Sequence, residues 1–494
     1  MTSASPTRSA VLSLLAALVA AVAAGCGASK APPSDPAGVV PARAPVYVEA
    51  TIPPEGATRD DALAAAGKIL GTSDPAARLR RLVRGKGARG DVAPWLGDRV
   101  GAFSLGGSTD DGAIVAVASD TGAARSWVAR QGSRTQRYRD VDVRLDAGDR
   151  AYALVEDRVV VGAPAAVRAS VDAASGDDLA SYEGFTKAIA RVDGGDGIGR
   201  GYLAPRALVE SRTGSAPPAS GMAGSLAMGL LTGSLPTAVG MRFHADGTAV
   251  RADTAAIGGA KPGAPPDPDV LAALTGRAWL AAGVGPVGPR LREQLGGSGA
   301  ILGLVGARAG LDIERDLLDW MGEGAAFVTG ASPATIGGAL VVRSSDPAAT
   351  RAAVPRLASL LTRFARGATS RELHAPGVDA GVSIRAQGIP APVQIAAAGD
   401  RFVIAVGQGA LREAIAPSSR LGDQADFRAA AATLGQGLRP SAYVGARALT
   451  PLATVLAART GGDVRQVRAT LGRFTALVAA DRGDGRWRAS LGLR

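Results

Sequence analysis

The chain is short of the residue types on which most enzyme and metal sites depend. Its 494 residues include one cysteine and two histidines, and asparagine is absent. A single thiol excludes an internal disulfide framework, and zinc sites need clustered Cys and His ligands that this chain does not have. Aromatic residues make up only 4% of the chain. We therefore expect stability to come from cores built of Ala, Val and Leu.

Lysine is also scarce, since it supplies only five of the 55 basic residues. Such heavy use of arginine, with much Ala, Gly and Pro, is typical of GC-rich genomes and accounts for part of the net charge of +11. The distribution of the charge is more informative. Residues 46–256 carry 25 basic and 25 acidic side chains, whereas residues 270–494 carry 26 and 16. Only the second half therefore favours an electrostatic role.

The N-terminal residues have the order of a bacterial lipoprotein signal. Arg8 precedes an apolar run from Ala10 to Ala24, and Cys26 follows directly after small residues. A short apolar segment that ends in small residues is typical of a secretory signal peptide and not of a spanning helix. The motif Ala23–Cys26 resembles the lipobox, with Ala23 in place of the usual leucine. We predict cleavage of residues 1–25, acylation of Cys26, and anchorage to the outer face of the cell membrane.

Short motifs recur in the same order in the two halves of the chain. Trp95–Asp98 is echoed by Trp320–Glu323, and each half ends on an Asp-Gly hairpin signal. Three further pairs match: Ala118–Asp120 with Ser344–Asp346, Asp149-Arg150 with Asp400-Arg401, and Gly201–Leu203 with Ala442–Val444. The fixed order predicts an internal duplication with two tandem domains, 46–256 and 270–494.

Proline-rich segments border these domains. Residues 257–269 contain four prolines among glycines, which predicts a stiff linker. Residues 26–45, rich in Pro, Ala and Ser, are predicted to be a disordered spacer behind the lipidated cysteine.

The predicted fold class is α+β. Strand candidates such as Ala151–Val155 and Val159–Val161 follow one another through short turns, which favours a mostly antiparallel sheet. Helix candidates such as Pro164–Ala173 and Phe185–Val192 are expected to pack on one face of that sheet.

Three segments carry a resemblance to a known family. They are Ala44–Val48, the Trp-Leu-Gly-Asp-Arg-Val block Trp95–Val100, and the segment from Asp149-Arg150 to Val160–Gly162. The chain resembles secreted actinobacterial proteins with the domain of unknown function DUF3352. The resemblance implies a fold and an extracytoplasmic location, and it implies no functional residues, because the family has no established activity.

Motifs for a cofactor or for catalysis are weak. Gly283–Gly288 fits Gly-x-Gly-x-x-Gly, but Pro286 lies inside the turn and the acidic residue after a second strand is not evident, so no cofactor is predicted. His244 and His374 lie outside any recognisable Ser-His-Asp pattern. The chain is therefore predicted not to be an enzyme.

Acidic residues give no metal prediction either. Asp140, Asp142 and Asp146, like the Asp193–Gly197 stretch, lack the full calcium loop and are read as turn residues. Asp98 and Glu323, which follow the repeated tryptophans, are read as strand residues that pair with arginines and not as catalytic groups.

The best functional candidate is the helix predicted over Pro347–Arg366. Helical spacing places Leu357, Leu360, Leu361 and Phe364 on one face, and the arginines largely on the other. The residues predicted to contact an anionic surface are Arg351, Arg356, Arg363, Arg366 and Arg371. The alternative is an ordinary surface helix with solvated arginines.

Together these features predict a membrane-anchored envelope lipoprotein with a binding or assembly role. The basic second domain would contact an anionic lipid, a polyanion or an envelope protein. Nucleic acid is excluded as a partner by the location and by the few aromatic residues. The alternative function is a carrier of an apolar envelope lipid or glycolipid between or within the two domains.

Overall fold

The structure is a computed structural model. It describes residues 34–51, 57–84, 88–106, 111–148, 150–192, 197–213, 235–259, 264–295, 312–330, 335–364, 367–387, 391–407, 409–448 and 464–494. The leader, Cys26 and Arg366 lie outside these residues. Among the described helices, none combines the length and apolar character needed to span a membrane.

The chain divides into two compact units. The first comprises Met1–Ala260, Ala457–Phe474 and Gly492–Arg494, and the second comprises Lys261–Leu456 and Thr475–Leu491. The division at Ala260 falls within the proline-rich segment 257–269.

The first unit is built on an antiparallel sheet of ten strands. They are β1 (Val46–Thr51), β2 (Leu96–Ser104), β3 (Gly112–Ala118), β4 (Arg134–Tyr138), β5 (Val141–Leu145), β6 (Ala151–Val155), β7 (Arg158–Gly162), β8 (Gly199–Leu203), β9 (Ala238–Ala245) and β10 (Ala249–Ile257). Their order across the sheet is β10-β9-β8-β1-β2-β3-β7-β6-β5-β4. The strand β1 therefore lies inside the sheet, and β4 lies at an edge.

The second unit has strands in an equivalent order. They are β11 (Leu280–Pro286), β12 (Met321–Thr329), β13 (Gly337–Ser344), β14 (Thr369–Glu372), β15 (Ala380–Arg385), β16 (Val393–Ala398), β17 (Arg401–Val406), β18 (Ala442–Gly445), β19 (Phe474–Gly483) and β20 (Arg486–Leu493). Their order is β20-β19-β18-β11-β12-β13-β17-β16-β15-β14. The prediction of a mixed α and β protein with a largely antiparallel sheet is confirmed.

Helices account for most of the remaining described elements. The α-helices are Ala57–Leu70, Pro75–Arg84, Thr121–Ala129, Pro164–Ala173, Glu183–Ala190, Pro205–Thr213, Pro268–Ala272, Val287–Leu295, Pro347–Phe364, Ala410–Ile415, Ala425–Ala432 and Val464–Leu471. Short 3-10 helices occupy Pro36–Val39, Leu421–Asp423 and Ala446–Ala448, and a π-helix occupies Glu314–Leu318.

Helices cover both faces of each sheet, so the prediction of a single covered face is wrong. In β6, Ala151 and Ala153 belong to the cluster that contains helix 164–173, whereas Tyr152 between them packs with helix 121–129. Because successive strand residues point to opposite faces, an unbroken apolar strand needs a cover on each side. In β16 of the second unit, Ala396 and Ala397 likewise belong to different clusters.

The segment before β1 is ordered from Ser34 onward, which differs from the disorder predicted for 26–45. Asp35 caps the 3-10 helix Pro36–Val39 by accepting a hydrogen bond from the Ala37 amide at 2.9 Å. Ala37 and Val39 are fully buried in the core of the first unit. Proline in this segment starts a helical turn, which is a position that tolerates its missing N–H. The second proline-rich segment behaves in the same way, because its last proline begins the helix Pro268–Ala272.

Gly240 of β9 provides a direct test of the packing between sheet and helix. A Cβ atom at this position would lie 2.1 Å from the backbone oxygen of Ala188, at the end of helix 183–190. We expect Gly240→Ala to lower the free energy of unfolding by about 1–3 kcal/mol, since the helix would have to move away. Urea unfolding followed by circular dichroism measures this.

Gly122→Ala is the matched control. Gly122 is exposed near the start of helix 121–129, where an added Cβ would meet only the Asp120 carboxylate at 3.2 Å. Alanine favours a helix, so this variant should be as stable as the parent or more stable. An equal decrease in the free energy of unfolding of the two variants would contradict the close packing of Gly240 against the helix.

Candidate functional site

The basic helix Pro347–Phe364 packs against the second sheet through small residues. Asp346 caps its start by accepting hydrogen bonds from the amides of Ala348 and Ala349. Its most buried apolar side chains are Ala353, Val354 and Ala358, which join a cluster with Trp320 and Phe402. The helix therefore lies close to the strands, as small contact residues allow.

The leucine stripe of the basic helix is only partly buried. Leu357 packs against the cluster as expected, but Leu361 is 41% exposed. Leu361 lies three residues after Ala358 and seven after Val354, so helical spacing places it on the same side as these buried residues, nearer the end of the helix. Much of the buried face is supplied by Ala353, Val354 and Ala358, which the leucine pattern did not include.

Three of the predicted arginines lie on the outer part of this helix. Arg351, Arg356 and Arg363 are all exposed, and the sequence of the helix contains no acidic residue. Arg356 also has a structural contact, because its Nη1 lies 3.0 Å from Oδ2 of Asp316, a side chain that is only 10% exposed. The outer face thus presents positive charge without acidic neighbours from its own helix.

Arg371 lies elsewhere in the fold. It is in the exposed edge strand β14 and pairs with Ser383 of β15. The next residue of β15, Ile384, packs in the cluster that contains Val354 of the basic helix. Since successive strand residues point to opposite faces, Arg371 and Arg385 lie on the sheet face away from the helix. The grouping of Arg371 with the helical arginines is therefore wrong.

The glycine motif lies in an antiparallel setting. Gly283 belongs to β11, which pairs antiparallel with β12 and β18. A dinucleotide fold places this motif in a parallel βαβ unit. Its last glycine has a packing role here, because a Cβ on Gly288 would lie 2.1 Å from the backbone oxygen of Leu318.

The histidines and acidic residues singled out from the sequence make local contacts. His244 Nε2 lies 3.5 Å from the Asp253 carboxylate across the β9–β10 hairpin, and exposed His374 lies 3.7 Å from Glu372. Asp142 pairs with Arg137 at 3.3 Å. Asp146 accepts hydrogen bonds from the Gly148 and Arg150 amides and the Tyr152 hydroxyl. Asp193–Asp196 lie outside the described residues.

Asp98 and Glu323 both lie in strands, as predicted. Asp98 is exposed in β2, and Glu323 of β12 accepts a hydrogen bond from the Asp267 amide at 3.2 Å. Among the described residues, no group of three or more His, Cys, Asp or Glu side chains is arranged to hold a metal ion.

A buried group of charges in the first unit was missed from the sequence. Glu49, 4% exposed, lies in β1 between Arg99 of β2 and Arg200 of β8. Its carboxylate accepts hydrogen bonds from Arg99, from Arg200 at 3.1 Å, and from the Tyr47 hydroxyl at 2.5 Å. Asp35 completes the set, with Oδ2 2.6 Å from Arg200 Nη2. We call these five residues the Glu49 cluster.

The charges of the Glu49 cluster balance, which explains how it tolerates burial. Burial raises the pKa of the Tyr47 phenol well above its usual range, and the adjacent Glu49 carboxylate adds to this, so the phenol stays protonated. Burial alone would raise the pKa of Asp35, but the charge and hydrogen bond of Arg200 and the Ala37 amide lower it overall. Two guanidinium groups thus face two carboxylates.

The Glu49 cluster attaches the N-terminal segment to the sheet. Asp35 contacts Arg200 of β8 through its side chain, and its backbone oxygen accepts a hydrogen bond from Arg158 Nε at 2.9 Å. The sequence gives one indication of a buried charge, because Glu49 interrupts the apolar run Val46–Ala50. The two arginines that bind it are 50 and 151 residues away along the chain, so only the fold brings them together.

Comparisons with known proteins do not name a family. No family model matches the chain, and no curated protein matches it. A solved structure titled "Structure of crystal form I of TP0453" aligns with 77% of this chain and 96% of that chain, at 9% identity and a TM-score of 0.14. At that TM-score the match carries no argument about fold or function, and the resemblance to DUF3352 proteins stays a prediction.

The Glu49 cluster predicts a large cost for removing its central charge. Glu49→Gln leaves two arginines that face one remaining carboxylate, that of Asp35, and we expect the free energy of unfolding to fall by about 3–5 kcal/mol. Exposed Glu183, paired with Lys187 on a helix surface, is the control, and Glu183→Gln should leave the free energy of unfolding close to that of the parent. Denaturant unfolding of both variants measures the difference, and similar small losses would refute the structural role of Glu49.

Proposed function

We propose that this chain is a non-enzymatic lipoprotein of the bacterial envelope, anchored through Cys26. It contacts an anionic surface through the outer face of the basic helix Pro347–Phe364. The observation that carries the proposal is the exposure of Arg351, Arg356 and Arg363 on a helix without acidic residues. Each basic side chain held near an anionic membrane contributes about 1 kcal/mol of attraction.

We further propose that the two units arose by duplication. Their equivalent strand orders support this, as do matching local contacts. Trp95 and Trp320 each precede a strand with a bulge, and their carbonyl oxygens accept hydrogen bonds from the amides of Ser119 and Ser345. The basic helix of the second unit then corresponds to helix Thr121–Ala129 of the first.

The position of Ser34 limits how far the first unit can lie from an anchor at Cys26. Ser34, which hydrogen-bonds to Asp157, lies eight residues after Cys26. A fully extended chain spans at most about 3.6 Å per residue, so this tether reaches no more than about 29 Å. A tether of this length would keep the first unit near the membrane surface.

The carrier function is the less favoured alternative. On both faces of each sheet apolar side chains form packed clusters, which supports a binding role over the enclosure of a lipid between sheet and helices.

Cys26→Ser tests the anchor. We expect the full-length protein expressed in an actinobacterial host to move from the membrane fraction to the soluble secreted fraction, because the thiol that accepts the acyl groups is gone. Mass spectrometry of the parent protein should detect a diacylated or triacylated N-terminal cysteine. Recovery of the parent protein with its leader uncleaved and Cys26 unmodified would contradict the proposal.

Arg351→Gln combined with Arg363→Gln tests the contact surface. The loss of two charges should weaken binding to phosphatidylglycerol vesicles about 30-fold at low salt, since each contributes about 1 kcal/mol. Vesicle sedimentation with a mature chain that carries Cys26→Ser isolates this contribution from the acyl anchor. Arg356 is left unchanged because of its contact with Asp316.

Arg371→Gln with Arg385→Gln is the matched control, since it removes the same charge from the opposite face of the sheet. We expect its binding to stay close to that of the parent. Equal weakening by the two double variants would point to net charge, and no weakening by the first would refute the proposed surface. Binding should also fall as salt rises.

A further inference from the structure

A dense run of basic residues lies in the first unit, although the charge of that unit is balanced overall. Six of the 25 basic side chains in residues 46–256 fall between Arg78 and Arg89, and no acidic residue lies in that stretch. Its first part forms the helix Pro75–Arg84, which we call the Arg78 helix. The balance over the whole unit therefore conceals a local excess of positive charge.

The Arg78 helix is attached to the first unit at its N-terminal turn. Asp74 caps its start by accepting a hydrogen bond from the Ala77 amide at 2.8 Å. Pro75 is buried, and Ala76 packs against the apolar cluster that contains both tryptophans of the unit. These contacts define the inner side of the helix, and helical spacing places Arg81 on the opposite side.

The arginines of this helix have no counter-charge among the described residues. Arg78 and Arg81 are exposed and Arg80 is half-buried, and none of the three side chains forms an ion pair or hydrogen bond with a described residue. By contrast, Arg356 of the basic helix contacts Asp316 at 3.0 Å. Grouped arginines without neighbouring carboxylates create a positive field that attracts an anionic surface.

The Arg78 helix and the first described residues lie at the same end of the first sheet. The helix belongs to the connection from the end of β1 to the start of β2, where Leu96 pairs with Ala118 of β3. The Ala118 amide donates to the Asp157 backbone oxygen at 2.8 Å, and the Asp157 carboxylate accepts a hydrogen bond from the Ser34 hydroxyl. The tether to the proposed anchor therefore leaves the unit at the end where this connection begins.

We propose that the Arg78 helix binds the anionic headgroups of the membrane that holds Cys26. Guanidinium groups form charge-assisted, bidentate hydrogen bonds with phosphate oxygens, and a basic surface reinforces a lipid anchor on the same molecule. The choice of a membrane as the partner rests on the proposed anchor at Cys26. The surface itself is separate from the basic helix of the second unit.

Arg78→Gln combined with Arg81→Gln tests the proposal in the mature chain that carries Cys26→Ser. Sedimentation with phosphatidylglycerol vesicles at low salt should show about 30-fold weaker binding, because two unpaired charges are lost. Arg78→Lys combined with Arg81→Lys keeps both charges and should bind close to the parent. Loss of binding in this lysine variant as well would overturn the electrostatic contact.

Arg168→Gln combined with Lys187→Gln is the matched control within the first unit. Both residues lie on helices whose Val167 and Phe185 belong to the core cluster on the other face of the sheet. The same charge is removed, but we expect binding to phosphatidylglycerol vesicles to stay close to that of the parent. Equal weakening by the two double variants would assign the effect to net charge and overturn the proposal.

Arg351→Gln with Arg363→Gln separates this contact from the one proposed for the second unit. If only that pair weakens vesicle binding, the Arg78 helix is not a membrane contact and the proposed function stands. If only the Arg78 and Arg81 pair does so, the second-unit contact fails and the present inference stands.

Inorganic polyphosphate is the soluble polyanion probe. We expect the parent to prefer the vesicles. An Arg78 and Arg81 variant that loses polyphosphate binding but binds vesicles like the parent would assign these arginines to a polyanion and overturn the membrane contact.

Discussion

Each antiparallel sheet of this protein is covered by helices on both faces, and the residues of its strands and helices follow from that burial. With 4% aromatic residues, the chain cannot fill a thick core, and it instead uses strands of Ala and Val that are apolar at every position. Such strands must be covered twice, and helices with small contact residues can approach closely enough to do so. The Gly240 backbone against Ala188 is the clearest instance of this close approach.

The two units have sheets with an equivalent strand order, but their charged residues lie in different places. In the first, the Glu49 cluster buries two carboxylates and two guanidinium groups and attaches the segment that begins at Ser34. In the second, the equivalent strand β11 contains Gly283 and Gly285 and has no charged residue. The second unit instead directs its arginines outward from the basic helix. The five-residue cluster around Glu49 therefore belongs to the interior of the first unit, whereas the arginines of the basic helix lie at the surface of the second.

Much of the fold could be predicted from local patterns. Short turns between β-branched and alanine-rich runs indicated adjacent antiparallel strands, and the Asp-Gly pairs marked the hairpins that close β9 with β10 and β19 with β20. Prediction from the sequence was less successful for residue types, such as proline and alanine, that occur in more than one structural role. Pro36 and Pro268 begin helical turns instead of preventing structure, and Ala353 and Ala358 supply part of the buried face that the prediction assigned to leucines.

The sequence by itself determined the composition of the cores, the α+β class, the order of the repeated motifs and the basic character of the helix Pro347–Phe364, because each depends on neighbours along the chain. Tertiary structure alone decided which charges meet. Glu49 reaches Arg200 because β1 pairs with β8, and Arg371 is separated from the helical arginines because the register of β14 turns it to the other face. A shift of one residue in strand register turns a side chain to the opposite face of the sheet. No local pattern around Arg371 specifies that register.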